Sequence, residues 1–105
     1  LTTGNDFAAA RRDGRSWSNR LLVIIARPNT LEVTRFGFSV GKRVGKAVVR
    51  NRVKRRLREA VQLAHVQQGW DLVVIARKGA SSADFIELKR SVESLLDRAR
   101  VLDVE

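Results

Sequence analysis

The stretch of sequence from Arg35 to Glu59 reads RFGFSVGKRVGKAVVRNRVKRRLRE. It begins with alternating aromatic and small residues, which is the period of a β-strand. It then passes through a basic segment between two glycines and continues without proline into a long run of helix-forming residues. A strand, a basic loop and a long helix are therefore predicted in that order. Since each element has one apolar face to bury, this unit predicts a sheet covered by helices.

The same stretch contains nine basic residues and no acidic residue between positions 42 and 58. They are Lys42, Arg43, Lys46, Arg50, Arg52, Lys54, Arg55, Arg56 and Arg58. Without these nine, the 21 basic residues of the chain fall to 12, against 11 acidic ones, so nearly all of the net charge of +10 is local. Charge concentrated in this way repels itself, and a polyanionic partner neutralises it. Phosphate backbones are the commonest partner of this kind.

The long helix is predicted from about Lys46 to Gln67, before Gly69. At 3.6 residues per turn its apolar residues fall on one arc and its basic residues largely opposite. The apolar arc comprises Val49, Val53, Leu57, Ala60, Val61 and Ala64. An ordinary solvated helix face would alternate Glu with Lys, but here Glu59 is the first acid after Glu32. The pattern favours a phosphate-binding face, and by itself it leaves DNA, RNA and an anionic membrane surface open.

Two further elements are predicted before the basic stretch. Residues Thr3–Asp13 form a short helix, with Thr3 and Asp6 as its capping box and Gly14 at its end. The aliphatic run Leu21–Ala26, with a start as early as Ser16, forms a strand. A turn at residues 27–30 then pairs this strand as a hairpin with a second strand at 32–40.

Two elements are predicted after it. Trp70–Ala76 is a second mostly apolar run of strand length, and Ser81 or Ser82 caps a last helix. The order α-β-β-α-β-α predicts an α+β sandwich, with one domain over residues 1–105. Because the chain begins at Leu1 rather than Met, a few native residues are expected before it.

Several classes of protein are disfavoured by composition. Cysteine is absent and there is one histidine, so neither disulfides nor a zinc site is expected. No apolar run is long enough for a membrane span and no signal-peptide pattern opens the chain, so a cytoplasmic location is expected. His65 has no carboxylate one helical turn away, and the acids of the last third are spread along a helix exterior. We therefore predict no catalytic residue and no metal ligand in the protein.

The aromatic residues are less decisive. Phe36 and Phe38 sit in a segment that invites comparison with the base-stacking strand of RNA-recognition motifs, but the match is poor and a core role is favoured. Trp70 is also expected in the core. Trp17 lies among polar residues, and its pattern leaves a strand-edge plug and an exposed stacking surface open.

The stretch from Arg35 to Glu59 resembles the signature of the protein subunit of bacterial ribonuclease P. The resemblance rests on the Arg-Asn-Arg motif at residues 50–52, which follows a basic loop and opens a basic helix. It continues in Asp6-Phe7 and Gly14-Arg15, and in the segment DLVVIAR from Asp71 to Arg77. It implies a compact α-β sandwich around a mixed sheet. It also implies that the long basic helix joins two neighbouring parallel strands by a left-handed crossover, against the usual hand of such connections.

The resemblance also implies a function and a set of sites. The protein would be the RNA-binding cofactor of a ribonucleoprotein endoribonuclease that removes the 5′ leader from precursor tRNA. The RNA subunit, with bound Mg²⁺, would carry out the hydrolysis, with no organic cofactor, membrane or obligate protein partner. Residues matching the catalytic-RNA motif are Arg50, Asn51, Arg52, Lys54, Arg55 and Arg58. Lys42, Arg43 and Lys46 match the basic loop near the junction of the RNA with its substrate, and Phe7 matches an aromatic of the leader cleft.

The chain departs from the family pattern at two positions of the cleft. Arg11 stands where a second aromatic is usual, and Ile25 stands at a sheet position that is often aromatic. We therefore expect a cleft that relies more on charge and less on stacking. Two alternatives stay open. One is a structural RNA-binding protein of a ribosome-like particle with a similar fold, and the other is a nuclease that acts without RNA.

Overall fold

Four strands form one mixed sheet in the computed structural model of the chain, which describes residues 4–103 and the side chains of residues 8–103. In chain order the elements are α1 (Gly4–Asp13), β1 (Arg15–Ser18), β2 (Leu22–Pro28), β3 (Arg35–Ser39), α2 (Ala47–Leu63), β4 (Trp70–Ala76) and α3 (Phe85–Arg98). A short 3₁₀ helix at Lys78–Ser82 precedes α3. The strand order across the sheet is β1-β2-β4-β3.

Strand β4 lies inside the sheet, antiparallel to β2 and parallel to β3. Its continuous apolar sequence suits this position, because an inner strand covered by helices is buried on both faces. Helix α2 therefore connects two neighbouring parallel strands. The α+β sandwich with a mixed sheet is confirmed, whereas the left-handed sense of the crossover stays a prediction.

The predicted hairpin between β2 and β3 is wrong, because β4 lies between them. The hairpin partner of β2 is instead β1, in a register that sets Arg15 opposite Ala26. Asn19 explains the separation of β1 from β2. Its side-chain oxygen accepts hydrogen bonds from the backbone N–H groups of Leu21 and Leu22, at 3.0 and 2.9 Å, and this closes a tight turn.

The segment between β2 and β3 is a loop rather than a turn followed by an immediate strand. Strand β2 continues to Pro28, and the side chain of Asn29 then accepts the N–H of Leu31 at 2.8 Å. The same side chain donates to the carbonyl oxygen of Val33 at 3.1 Å. These bonds hold residues 29–33 out of the sheet, so β3 begins at Arg35 and not at residue 32.

The helix ends also differ from the predicted ones. Helix α2 ends at Leu63, four residues before the predicted end, where Ala64 turns to an extended backbone. Helix α3 is capped by Asp84, whose carboxylate accepts the N–H of Glu87 at 2.8 Å in a complete capping box. Ser81 and Ser82 lie in the preceding 3₁₀ helix, so the prediction of a serine cap is wrong. Thr3 and the side chain of Asp6 lie outside the described residues.

Two apolar clusters hold the sheet and helices together. The larger one lies between the sheet and helices α2 and α3, and it includes the buried residues Val53, Leu57, Ala60 and Val61 of the predicted arc. Trp17, Phe36, Phe38 and Trp70 are half-buried against it. The smaller cluster lies on the opposite face, where Ala10 of α1 packs on Ile25 and Val73. A core role is thus confirmed in part for Phe36, Phe38 and Trp70, which keep some exposed surface, and Trp17, for which the sequence left two roles open, packs in the same way.

Asp71 is a carboxylate with only 1% of its surface exposed, in the strand at the sheet interior. Arg35, its neighbour on β3, donates to it from Nε and Nη2 at 2.9 and 2.7 Å, and Asn29 donates from Nδ2 at 2.9 Å. The hydrogen bonds from Arg35 hold the pKa of Asp71 below its ordinary value, against the opposing effect of burial. The network ties the loop after β2 to both parallel strands.

Replacing Asp71 by Asn should lower the free energy of unfolding at pH 7 by about 2 kcal/mol, because it leaves the guanidinium of Arg35 without its anion. A carboxylate whose pKa is lowered on folding stabilises the protein above its unfolded pKa of about 3.9 and ceases to do so as pH falls through the folded pKa. The difference between wild type and variant, measured by urea denaturation, should therefore shrink towards pH 2–3. Exposed Asp97→Asn is the matched control. An equal loss at both pH values would contradict this account.

Candidate nucleic-acid interface

The basic residues of α2 lie in rows on either side of its most exposed line. Arg50, Lys54 and Arg58 follow one another at intervals of four residues on one side. Arg58 is exposed, and its guanidinium carbon lies 5.9 Å from the centre of the Phe38 ring. This row therefore borders β3, and the aromatic ring holds the last cation of the row in place by a cation–π contact.

The second row faces the segment before α3. Arg52 donates from Nη2 to the carbonyl oxygen of Ser81 at 3.2 Å, and Arg56 donates from Nη1 to that of Ala83 at 3.0 Å. Both side chains are half-buried. Arg52, predicted to face RNA, therefore also fastens α2 to the 3₁₀ helix, and Arg56 shares this structural role.

The most exposed line of the helix carries Asn51 and Arg55. The structure thus brings all six predicted contact residues onto one helix, with Asn51 and Arg55 pointing outward. The Nε–H groups of Arg50 and Arg52 are shielded from solvent and have no acceptor among the described groups. An unpaired shielded donor is costly, so a rotamer change that turns either group toward an outside acceptor such as a phosphate oxygen would be favourable.

The basic loop presents Lys42, Arg43 and Lys46 to solvent. Buried Val44 anchors it, and its N–H donates to the carbonyl oxygen of Gly41 at 3.1 Å. Gly45 must be a glycine, because a Cβ atom there would lie 2.9 Å from the Cβ of Val49 in the first turn of α2. The loop thus meets the helix at close range and continues its positive surface.

The N-terminus of α2 adds to this surface. Its N-cap residue is Lys46, whose side chain makes no capping hydrogen bond, and its first turn contains no acidic residue. Backbone N–H groups and the positive end of the helix dipole are therefore left for an external anion.

A hollow of about 640 Å³ lies between the basic loop and the end of β4. Lys42 and Arg43 line one side, and Arg77 and Lys78 line the other. The two sides meet because the carboxyl ends of the parallel strands β3 and β4 lie at the same edge of the sheet. Arg77 and Lys78 were not predicted as site residues. Their signal was a pair of cations directly after an apolar strand.

The sheet face under α1 is covered only in part. Ala10 and Ile25 are buried there, and Gly14 lets the helix end approach the sheet, since a Cβ on it would lie 2.6 Å from Ile25. The sequence position of Ile25 suggested that it lines an open cleft. The structure shows instead that Ile25 is packed under the helix. Val23 and Ile75, farther along the same face, are half-buried, and Ile75 also lines the basic hollow.

Helix α1 places positive charge beside this face of the sheet. Arg11 and Arg12 are exposed in its last turn. Arg12 donates to the neighbouring Asp13 at 3.2 Å, which lowers the pKa of that carboxylate. The side chain of Phe7, the predicted cleft aromatic, lies outside the described residues.

Acidic and histidine side chains form no metal site in the described part of the chain. No group of three or more His, Asp or Glu residues there could hold an ion. His65 is exposed just beyond the end of α2. No helix within residues 4–103 is long and apolar enough to cross a membrane.

Comparisons with known proteins agree with this arrangement. The model of the family described as Ribonuclease P matches residues 1–100 of the chain. The chain belongs to the ribonuclease P protein family. A similar relative is the ribonuclease P protein component of Roseiflexus castenholzii, 47% identical over 105 residues, which cover 97% of this chain and 86% of that protein. That of Symbiobacterium thermophilum is also 47% identical, over 94% of this chain and 89% of that protein.

Solved structures of ribonuclease P proteins share the fold. The protein from Staphylococcus aureus matches with a TM-score of 0.89 and 33% identity, over 98% of this chain and 96% of that one. The protein from Thermotoga maritima matches with a TM-score of 0.86 and 33% identity, over 93% and 94%. Membership of this family gives the chain an RNA partner in a ribonucleoprotein.

Replacing Lys46 by Ser should raise stability and weaken RNA binding at the same time. The serine hydroxyl caps the helix and should add about 0.5–1 kcal/mol to the free energy of unfolding. The lost cation should reduce the magnitude of the salt slope of RNA binding by about 1. Thermal denaturation and filter binding at several salt concentrations measure the two effects.

Lys46→Ala is the matched control, because it removes the charge without adding a cap. It should weaken binding to the same extent with no gain in stability. Unchanged salt slopes in both variants would show that Lys46 does not contact phosphate.

Proposed function

We propose that this chain is the protein cofactor of a cytoplasmic ribonucleoprotein endoribonuclease that removes the 5′ leader from precursor tRNA. In this proposal the RNA subunit binds the catalytic Mg²⁺ and carries out the phosphodiester hydrolysis. The protein binds that RNA and the leader. The observation that carries the proposal is the continuous cationic surface of α2 and the basic loop in a member of the ribonuclease P protein family.

In this proposal helix α2 binds the catalytic RNA by its positive charge and by hydrogen bonds from its arginines to phosphate oxygens. Arg55 and Asn51 meet the RNA first, since both are exposed on the side of the helix that points away from the core. Half-buried Arg50 and Arg52 add charge beside that line, and turning outward to a phosphate would give their Nε–H groups the acceptors that they lack in the described structure. Arginine suits this role better than lysine, because its planar fork donates to two phosphate oxygens at once. The cations also offset repulsion between the two RNAs, which lowers the Mg²⁺ concentration that the reaction requires.

The leader follows the partly covered sheet face. Arg11 lies at one end of this path, Val23 and Ile75 form its apolar floor, and the basic hollow lies at the other end. An unpaired strand can lay bases on the floor while cations track its backbone, with little preference for sequence. Precursor tRNAs with different leaders require that tolerance.

The phosphodiester hydrolysis is assigned to the RNA subunit because of the metal-binding side chains that the protein offers. Two-metal hydrolysis needs a cluster of carboxylates, and the described residues contain none. The protein therefore acts by positioning the substrate, which is an electrostatic contribution to the rate and not an acid–base one.

Reconstitution tests the proposal. The protein, a bacterial ribonuclease P RNA and a precursor tRNA are mixed at a few millimolar Mg²⁺, and release of the 5′ leader is measured. Cleavage should need both protein and RNA. Arg55→Ala should raise the protein concentration needed for half-maximal cleavage by about tenfold, a typical cost for one charged phosphate contact.

The matched control is Arg90→Ala, which removes an exposed arginine of α3 and should have little effect. Cleavage by protein alone would overturn the assignment of the chemistry to RNA. RNA binding without any stimulation of cleavage, with RNAs from several bacteria, would favour a structural RNA-binding protein instead.

Arg11→Ala tests the leader path separately. The variant should bind precursor tRNA more weakly in the assembled particle and bind mature tRNA as the wild type does, because only the precursor carries a leader. Gel-shift titrations with the two substrates measure the difference. Equal losses for both would show that Arg11 does not contact the leader.

A further inference from the structure

A second hollow, of about 420 Å³, lies at the opposite end of β4 from the basic one. Both tryptophans of the chain, Trp17 and Trp70, line it, together with Arg15, Arg98 and Arg100. Trp70 begins β4 and Arg77 follows its end, so the two hollows are about 20 Å apart. The tryptophans pack on the core under α2 and α3, which places this hollow on the other face of the sheet from the leader path.

The charge around this hollow is positive. Arg15, Arg98 and Arg100 are exposed, and neither Arg15 nor Arg100 forms an ion pair with any acidic residue that the structure describes. Asp13 is the one acid among the lining residues, and it is bonded to Arg12. Arg98 donates from Nη1 to the carbonyl oxygen of Ser18 at 3.1 Å, which fixes its guanidinium beside β1.

The backbone at Arg100 supplies an independent observation. This residue follows the end of α3 with φ of 59°, the left-handed conformation that favours glycine. Arginine there is strained, since a side chain in this conformation costs roughly 1 kcal/mol relative to glycine. Glycine at this position would make the end of the helix more stable. A strained residue that keeps a cation at the rim of an aromatic hollow points to binding.

We propose that this hollow binds one unpaired nucleotide of an RNA, with its base against an indole ring and its phosphate on Arg100 and Arg15. The two indoles offer a surface for the base, the three arginines offer charge for the phosphate, and the volume falls in the range of small-ligand pockets. The site lies outside the basic face of α2 and the leader path. It gives the protein a third place to hold RNA.

Tryptophan fluorescence tests the proposal directly. The chain contains two tryptophans and no tyrosine, so its emission reports on this hollow alone. The free protein is titrated with a five-nucleotide adenosine RNA and, separately, with an abasic oligomer of the same length. The RNA should quench the emission by stacking, and the abasic oligomer should not. Trp17→Phe and Trp70→Phe then show which ring stacks.

Arg100→Gly is the decisive variant, because it removes the cation and the backbone strain together. It should unfold at the same temperature as the wild type or higher, and the RNA concentration for half-maximal quenching should rise about fivefold or more. The matched control, Arg90→Ala, should quench as the wild type does. Unchanged quenching in Arg100→Gly, or equal quenching by the abasic oligomer, would overturn the proposal. The assay contains no catalytic RNA, so its result is independent of the cleavage test of the proposed function.

Discussion

The apolar side of α2 packs against the sheet and α3, and this contact decides where the basic residues of the helix point. Val53 and Leu57 are fully buried in that interface. Burying a side chain of this size contributes about 1.5–3 kcal/mol. Repulsion between like charges one helical turn apart, as in Arg50, Lys54 and Arg58, costs only about 0.2–0.5 kcal/mol per pair. Packing therefore outweighs the repulsion, and the fold can hold a cationic helix ready for RNA without acidic partners.

The rest of the interface is built around the same helix. Gly45 allows the basic loop to run into the first turn of α2, and the parallel pairing of β3 with β4 brings that loop beside Arg77 and Lys78. Half-buried Arg52 and Arg56 hold the segment before α3. Structural contacts and the proposed RNA-binding role thus fall on neighbouring arginines of one helix, and a variant of Arg52 or Arg56 would test both roles at once.

The sequence predicted the individual helices and strands better than it predicted which strands pair with one another. The aliphatic run of β4 was enough to place that strand correctly, and the apolar period of α2 placed the helix correctly except for its end, which comes four residues early. The pairing of β2 was not predictable, because a local pattern does not say which edge a strand joins, and the short polar strand β1 carries almost no hydrophobic signal. The cap of α3 was missed since Ser81, Ser82 and Asp84 are all good caps, and only the 3₁₀ helix decides among them. Likewise, the sequence pattern placed Ile25 in a cleft because it does not show that α1 covers this residue.

The central claim is that clustered cations bind RNA through phosphate contacts. The most direct test is the dissociation constant of the protein for a ribonuclease P RNA, measured from low to moderate salt. If about six cations contact phosphates, log K falls with log salt with a slope of about −4 to −5. A slope near −1 would mean that the basic face hardly contacts the RNA backbone, and it would contradict this account.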